Sequence, residues 1–339
     1  MEWIEQLLKS YPGATDIHLT WGRPLSVRHE GRIVKSQKFS DPFLEELLSR
    51  LSDRQKEKMR DSGACDSSFS AGPLRCRLHC YRSAGMVSAA VRLLPALSSL
   101  PEDADKAWLS AMACMPSGLV LITGATGSGK STTMARLIQT MSRRPCHIVT
   151  IEDPVEYLFP QGEALIHQRE VGRDTASFGS GVIESLREDP DVIAIGEMRD
   201  PETISAALAA AETGHLVAGT LHNDRAADAI GRIAHSFPAE KERDIRKRLA
   251  SVLRAVSAQT LCRLGKRVFL IREILVNTPA VSHLIEEGKD KEILSYMEMG
   301  KEGMRTFRQA LTQIQQRERL TAEEAEALRE AACGGRRWS

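Results

Sequence analysis

The chain has 339 residues, of which 42% are hydrophobic and 27% are charged, with a formal net charge of +1. At roughly 100–200 residues per domain, this length predicts two or three domains. A nearly neutral chain has no overall field that favours nucleic acid, so nucleic acid is not an expected partner. The longest apolar runs, such as LVLIT, are far shorter than the ~20 residues of a membrane-spanning helix, and the acidic start MEWIEQLL is unlike a signal peptide. We therefore expect a cytoplasmic protein with no direct membrane insertion.

Residues 1–97 are predicted to form a mixed α+β domain. A short helix opens the chain, and the strands DIHLTW and LSVRHE follow it. Asp41 as N-cap and Pro42 at the first position then predict one helix over FLEELLSRLSDRQKEKM. RCRLHCYR and VSAAVRLL are two further predicted strands. The polar, proline-containing segment 98–107 is the predicted linker.

From residue 108 onward, four short apolar runs lack alternation, as strands buried on both faces do. They are Leu119–Thr123, Ile148–Ile151, Val192–Ile195 and Leu216–Thr220. Helical stretches separate several of these runs, which predicts a parallel α/β sheet within residues 108–275. Next, EKERDIRKRLASVLRAVSAQTL has the apolar spacing of an amphipathic helix as far as Val256. Residues 276–339 are predicted to be a C-terminal helical region, whose last helix starts at a capping box of Thr321 and Glu324.

Polar residues follow each of the four predicted strands. The first strand leads into Gly124 and a glycine-rich loop, and the second leads into Glu152 and Asp153. The third leads into Glu197 and the fourth into His222. Ligands of open parallel sheets bind beyond the carboxyl ends of the strands, so we expect these groups to gather at one edge of the sheet.

The segment GATGSGKST matches the P-loop pattern GxxxxGK[ST] between a predicted strand and a predicted helix. Its glycines let backbone N–H groups turn toward a phosphate, and the helix adds its positive N-terminal end. Lys130 is expected to bridge the β- and γ-phosphates of ATP, and the Ser131 hydroxyl is expected to ligate Mg²⁺. The predicted ATP-binding residues are Gly124, Ala125, Thr126, Gly127, Ser128, Gly129, Lys130, Ser131 and Thr132.

Hydrolysis of ATP also needs a group that activates water. Glu197, at the end of DVIAIG, is the main candidate, and the alternative is a solvated carboxylate at the start of the next helix. Glu152 and Asp153 could hold metal-bound water or be plain loop charges. His222 could sense the γ-phosphate or be a satisfied loop histidine.

Arginines commonly neutralise transition-state charge in phosphoryl transfer. Arg77 and Arg92 in the N-terminal domain are the candidates, and for each the alternative is an ordinary surface or sheet-edge arginine.

Seven cysteines without a CxxC pair predict free thiols and no structural metal. Cys76, His79 and Cys80 lie close together in sequence, but no second ligand pair stands at zinc spacing. The other interpretation of this group is a strand whose alternate residues face a core.

Several segments in combination resemble the secretion/pilus ATPases. Five segments together resemble the Walker A, Asp, Walker B and His boxes of that family. They are GATGSGKSTTMA, TIEDPVEY, HQREVGRDTASF, LREDPDVIAIGEMRDPETI and TGHLVAGTLHND. TDIHLTWGRPLSVRHEGRIV and CRLHCYR…VRLLP resemble the N-terminal domain of the twitching-motility (PilT) branch. ILVNTPAVSHLIEEGK and GMRTFRQAL resemble its C-terminal domain, so the resemblance covers about residues 14–315.

This resemblance implies a fold and a function. The implied fold is a PAS-like α+β N-terminal domain, a RecA-like P-loop ATPase core and a C-terminal helical region. The implied function is that of a homo-hexameric motor, peripheral at the inner face of the cell membrane, that acts on an inner-membrane platform protein and retracts type IV pili. The resemblance also implies that Glu197 is the catalytic base and that Arg77 and Arg92 reach the phosphates.

Two departures from the family pattern leave alternatives open. The segment Ala280–Glu287 keeps the apolar positions of the family's AIRNLIRE-type segment, which is linked to retraction, but not its basic ones. Ile183 stands where the family usually has arginine. A motor for pilus assembly, secretion or conjugation is therefore the first alternative, although those relatives usually carry a longer N-terminal region and a CxxC…CxxC zinc module. A nucleic-acid translocase and a non-hydrolysing nucleotide-gated adaptor are the others.

Overall fold

Two β-sheets organise the chain, whose computed structural model describes residues 2–72, 74–265 and 267–333. The chain divides into two compact units. The first unit runs to Ala104 and also includes residues 151–160 and 168–177. The second unit consists of residues 105–150, 161–167 and the chain from Phe178 onward. The first unit thus takes two segments from within the stretch 108–275 that the sequence assigns to the ATPase core.

The first unit is built on an antiparallel sheet with the strand order β3-β2-β1-β6-β5-β4 in its described residues. Its elements are α1 (Glu2–Ser10), β1 (Asp16–Thr20), β2 (Pro24–His29), β3 (Arg32–Phe39), α2 (Asp41–Ser49), α3 (Asp53–Asp61), β4 (Ala64–Ala71), β5 (Leu74–Ser83) and β6 (Met86–Leu94). Alternate strand residues, such as Ile17, Leu78 and Val91, are buried in one core with the apolar faces of α1 and α2. This arrangement matches the α+β N-terminal domain that the sequence predicts.

The single helix predicted from Asp41 is two helices, so that prediction is wrong. The break falls at Ser52, whose hydroxyl accepts a hydrogen bond from the Gln55 amide while the Gln55 side chain accepts one from the Ser52 amide. This capping box makes Ser52 the N-cap of a separate helix, α3, because it satisfies amides that would bond internally in a continuous helix. Asp41 is not the N-cap of α2 either; its carboxylate accepts a hydrogen bond from the Gly22 amide at 2.6 Å.

The second unit is built on a largely parallel sheet. Its helices and strands, in chain order, are α4 (Lys106–Ala113), β7 (Gly118–Thr123), α5 (Lys130–Met141), β8 (His147–Glu152), β9 (Leu165–Glu170), α6 (Phe178–Ser185), β10 (Val192–Ile195), α7 (Pro201–Glu212), β11 (Leu216–Thr220), α8 (Ala226–Ala234), α9 (Ala239–Val252), β12 (Leu253–Leu264), β13 (Arg267–Val276), α10 (Pro279–Glu286), α11 (Asp290–Glu298), α12 (Phe307–Glu318) and α13 (Ala322–Cys333). The last residues of β8 and β9, 151–152 and 168–170, fall within the first unit. The strand order is β13-β12-β7-β11-β10-β8-β9. The adjacent pairs β12–β7, β7–β11 and β11–β10 are parallel, and β13 is antiparallel to β12. The predicted α/β class with a parallel core sheet is confirmed.

The helix predicted to run through Val256 is shorter than expected, because α9 ends at Val252 and β12 begins at the next residue. Leu253 pairs with Leu119 of β7, and Val256 pairs with Leu121. The apolar spacing is compatible with both structures, and backbone pairing with β7 decides for the strand. The predicted helical C-terminal region is present as far as residue 333, and residues 334–339 lie outside the described part.

Three of the C-terminal helices, α10, α12 and α13, begin at side-chain caps. Thr278 caps α10 and Thr306 caps α12. The predicted capping box of Thr321 and Glu324 is present, with reciprocal amide-to-side-chain bonds of 2.9 and 3.1 Å. In the portion of the chain that the structure describes, none of the helices combines the length and the apolar character needed to cross a bilayer.

Candidate active site

The P-loop joins β7 to α5, and its glycines have a left-handed backbone. The φ angles are +148° at Gly124, +80° at Gly127 and +88° at Gly129. Gly124 is also closely packed, since a Cβ there would lie 2.3 Å from the carbonyl oxygen of Gln259. Only glycine meets both demands. The loop therefore ends at the N-terminus of α5, where backbone amides and the helix dipole favour an anionic phosphate.

The predicted ATP-binding residues 124–132 form this loop and the first turn of α5. Ala125, Thr126 and Gly127 form its exposed tip, and Ser128 and Lys130 are buried. The Lys130 Nζ donates hydrogen bonds to the carbonyl oxygens of Gly124 at 2.7 Å and Ala125 at 3.0 Å. Burial lowers the pKa of Lys130, while Glu197 opposes that shift. The ammonium group is thus held directly over the loop.

Three of the predicted site residues meet at the carboxyl edge of neighbouring strands. The Nε2 atom of His222, which follows β11, lies 3.0 Å from Oε1 of Glu197, which follows β10. The Nδ1 atom of His222 lies 3.5 Å from Lys130 Nζ. An ammonium group can only donate, so Nδ1 accepts and the Nε2–H group donates to Glu197. Burial, followed by the charge of Lys130, lowers the pKa of His222, which favours this neutral tautomer at pH 7.

The strand ends hold the His222 loop in place. The Thr123 hydroxyl donates to the Asn223 carbonyl at 2.7 Å and accepts from the Asn223 amide at 2.8 Å. The Met198 amide donates to the Thr220 carbonyl at 2.9 Å. These bonds tie the residues next to His222 and Glu197 to the rigid sheet, so that the two side chains meet without a mobile loop between them.

Two residues near the site were not found from the sequence. Arg199 makes a short ion pair with the carboxylate of Glu197. Its position two residues after Glu197 in GEMRD was a usable signal. Gln259, whose side chain donates to the Ser128 carbonyl at 2.8 Å, lies on β12, and recognising that strand was necessary to find it.

Glu152 and Asp153 belong to the first compact unit. Glu152 ends β8 and accepts a hydrogen bond from the Gln168 side chain at 3.0 Å. In the loop that follows, the Val155 amide donates to the buried carboxylate of Glu170 at 3.1 Å. The loop after β8 is therefore fixed within its own unit, and the metal-associated role of Glu152 and Asp153 stays a prediction.

Arg77 and Arg92 are direct cross-strand partners on β5 and β6. They lie on the sheet face opposite the apolar core of the first unit. Arg92 Nε donates to Asp16 Oδ1 at 3.0 Å, and Arg77 forms ion pairs of 3.7 Å with Asp66 and with Glu156. Both side chains remain well exposed, at 65% for Arg92 and 42% for Arg77. The structure thus places the two arginines side by side on neighbouring strands, and their action on phosphates stays a prediction.

The residues of the P-loop suit a magnesium–nucleotide complex. Ser131 is exposed in the first turn of α5, and its hydroxyl is the hard oxygen ligand that Mg²⁺ prefers beside phosphate oxygens. Within residues 2–72, 74–265 and 267–333, no group of three or more His, Cys, Asp and Glu side chains is arranged to hold a metal. Cys76 and Cys80 face the buried side of β5 while His79 faces away, as the alternating-strand interpretation predicts.

Comparison with known proteins shows where the chain is similar. A family model described as Type II/IV secretion system protein matches residues 86–331. The chain is 43% identical over 303 residues to the uncharacterized protein YggR of Escherichia coli K12, covering 87% of this chain and 92% of that protein. It is 38% identical over 306 residues to the type IV pilus retraction ATPase PilT of Pseudomonas aeruginosa, covering 87% and 88%. A crystal structure of the pilus retraction motor PilT with bound ADP matches with a TM-score of 0.82 and 38% identity over 96% of both chains.

Proposed function

Since the chain belongs to the Type II/IV secretion system protein family and is an ATPase of the PilT-like kind, we propose that it drives the retraction of type IV pili. The observation that carries the proposal is the extent of the likeness, which spans 96% of this chain and of the retraction motor PilT. The contact series Lys130–His222–Glu197 supplies the groups that ATP hydrolysis requires.

The geometry supports an assignment of roles. Lys130 and the loop amides bind the phosphates of ATP, and Ser131 is placed to hold Mg²⁺, which would neutralise phosphate charge when bound. Glu197 accepts a proton from the attacking water, whose oxygen bonds to the γ-phosphorus as the bond to the ADP oxygen breaks. His222 donates to Glu197 and orients its carboxylate, and its other ring nitrogen faces Lys130 on the phosphate side.

The proposal extends to assembly and partners. We expect a homo-hexamer at the inner face of the membrane, in contact with a platform protein of the pilus machine. Arg77 and Arg92 are expected to complete catalysis. If the protein retains full ATPase activity as a monomer at high dilution, the ring is not needed and this part of the proposal is wrong.

One segment favours a second candidate, a motor for pilus assembly, secretion or conjugation. Helix α10 buries Val281 and Ile285 and exposes His283 and Glu286, followed by the exposed Glu287. Basic residues stand at this face in retraction motors, according to the resemblance. Like charges across an interface are costly, so a partner at this face would carry a complementary basic surface.

A gene deletion distinguishes these functions. Deletion should leave cells with longer or more numerous pili that do not retract, and twitching should stop. A Glu197→Gln gene in trans should not restore twitching, and the wild-type gene should restore it. Cells without pili would indicate an assembly motor, and unchanged pili would indicate another machine. ATPase turnover that rises strongly with DNA would instead favour a nucleic-acid translocase.

A further inference from the structure

A buried glutamine supports the P-loop from the neighbouring strand. Strand β12 is parallel to β7, with Ala258 paired to Thr123, so Gln259 follows at the level of the P-loop. Its side-chain Nε2 donates to the Ser128 carbonyl at 2.8 Å, and the residue is 1% exposed. In a planar trans peptide the carbonyl and the next N–H point in opposite directions. The bond to Ser128 therefore fixes the direction of the Gly129 N–H.

A series of hydrogen bonds fixes the orientation of Gln259. The Arg272 guanidinium donates to the Thr133 hydroxyl at 3.0 Å, and this hydroxyl donates to Gln259 Oε1 at 2.9 Å. Arginine has no acceptor, so the hydroxyl must accept from it and donate onward. The Gln259 amide nitrogen is then left to bond Ser128. We name Arg272, Thr133 and Gln259 the relay; each is 1% exposed.

The other end of the relay lies where the chain enters the second unit. Arg272 also donates to the Asp105 carboxylate at 2.9 Å, and its guanidinium lies over the Trp108 ring at 5.5 Å from the centroid. Arg305 forms an ion pair with the same carboxylate at 2.6 Å. Asp105 is the first residue of the second unit and directly precedes α4. One series of directed bonds thus runs from the P-loop to this junction.

We propose that the relay positions the P-loop for nucleotide and couples nucleotide binding to the chain junction at Asp105. This inference rests on nucleotide binding at the P-loop, as proposed above. When the loop amides close on phosphate, the Ser128–Gly129 peptide is held more firmly, and Gln259, Thr133 and Arg272 transmit that restraint to Asp105. Gln259, Thr133 and Arg272 are positioning residues, because they act through the loop and not on the reacting atoms.

Affinity measurements separate positioning from a purely structural role. Thr133→Val keeps the side-chain shape and removes the hydroxyl, and should weaken ADP binding and raise KM for ATP about tenfold, with a smaller fall in kcat. Thr133→Ser should restore both constants. The matched control is Thr140→Val, two turns further along α5, whose hydroxyl bonds only the Arg136 carbonyl of its own helix. Gln259→Met is the second variant should Thr133→Val not fold.

Wild-type ADP affinity in Thr133→Val or Gln259→Met, or an equal loss in Thr140→Val, would overturn the positioning role. A lower melting temperature of either variant with unchanged ADP affinity would also overturn the positioning role, because it would show a purely structural one.

Hydrogen exchange tests the coupling. In the wild-type protein, ADP should slow amide exchange both in residues 124–132 and in residues 105–109. In Thr133→Val at saturating ADP, only residues 124–132 should be protected. ADP that binds without any change at 105–109 in the wild type would refute the coupling alone. If ADP did not bind to the wild type, the proposed function itself would be wrong.

Discussion

The two regions that the sequence associates with ATP hydrolysis differ in how their charged groups are held. In the second unit, Lys130, His222 and Glu197 follow buried parallel strands and contact each other through bonds that the sheet fixes. In the first unit, Arg77 and Arg92 lie on an exposed sheet face. There each guanidinium is paired with carboxylates of its own unit.

This difference indicates a division of labour. Groups fixed by a rigid sheet can be in place before nucleotide arrives, which is the basis of electrostatic preorganisation. Arginines held by exposed ion pairs can exchange partners at little cost, because such pairs contribute only ~0–1 kcal/mol. We therefore expect the fixed groups of the second unit to set nucleotide binding and chemistry. We expect the arginines of the first unit to control when the chemistry occurs.

Lys130→Ala should have the largest effect, because it removes the ammonium group that donates to the P-loop carbonyls of Gly124 and Ala125. We expect kcat/KM to fall about 10³-fold, roughly 4 kcal/mol, with ADP affinity and turnover lost together. Lys241→Ala, at an exposed position of α9, is the control. Steady-state kinetics and ADP titration measure the two losses, and unchanged ADP affinity would contradict the assigned role of Lys130.

Glu197→Gln should separate chemistry from binding within the same region. The amide keeps the shape of the side chain but cannot accept the proton of water, so ATP should still bind while kcat falls about 10²-fold or more. Single-turnover hydrolysis and nucleotide titration test this. Glu292→Gln, at an exposed position of α11, is the matched control. A variant that keeps more than about a tenth of the kcat, a loss of ~1.4 kcal/mol or less, would rule out Glu197 as the base.

The fold of the core sheet could be predicted from the sequence where one strand is one continuous apolar run, as for β7, β10 and β11. Strand β12 was missed because its apolar residues Leu253 and Val256 also fit a helix, and only its pairing with β7 distinguishes the two. The break before α3 was missed because the signal is a capping box, Ser52 with Gln55, within an otherwise helical stretch.

The same limit applies to the site. Glycines and a lysine at fixed spacing identify a P-loop, because the chemistry is local in sequence. The His222–Glu197 contact needs only the expectation that strand ends meet. The bond between Gln259 and Ser128 joins residues 131 positions apart, and the ion pair between Arg92 and Asp16 joins residues 76 positions apart. No local sequence pattern predicts contacts between residues so far apart in the chain.

Arg77→Ala and Arg92→Ala should have intermediate effects and test the controlling role expected of the arginines in the first unit. If either guanidinium acts in the transition state, kcat should fall about tenfold or more while nucleotide affinity changes little. Arg92→Lys should not restore activity fully, because lysine cannot bind a phosphate bidentately. Arg82→Ala, exposed at the end of the same strand as Arg77, should leave kcat unchanged. A loss of nucleotide affinity with unchanged kcat would instead indicate that these arginines only bind the nucleotide.

The smallest effect should be the pH dependence set by His222. Burial and the nearby Lys130 lower its pKa below the ordinary 6.5, so the neutral ring accepts from Lys130 and donates to Glu197 at pH 7. A group whose pKa is lower in the folded state stabilises the protein above its unfolded pKa, and this contribution is lost as the pH falls through the folded pKa.

Protonation of His222 would also add a cation beside Lys130 and hold Glu197 in a charged pair, so kcat should decline below pH 6.5. His222→Gln should remove this decline from the acidic side of the pH profile. His215→Gln, whose parent ring bonds the Ala210 carbonyl at 2.9 Å, should keep it. An unchanged profile in His222→Gln would mean that His222 does not set the decline and only links Lys130 to Glu197 through its ring nitrogens.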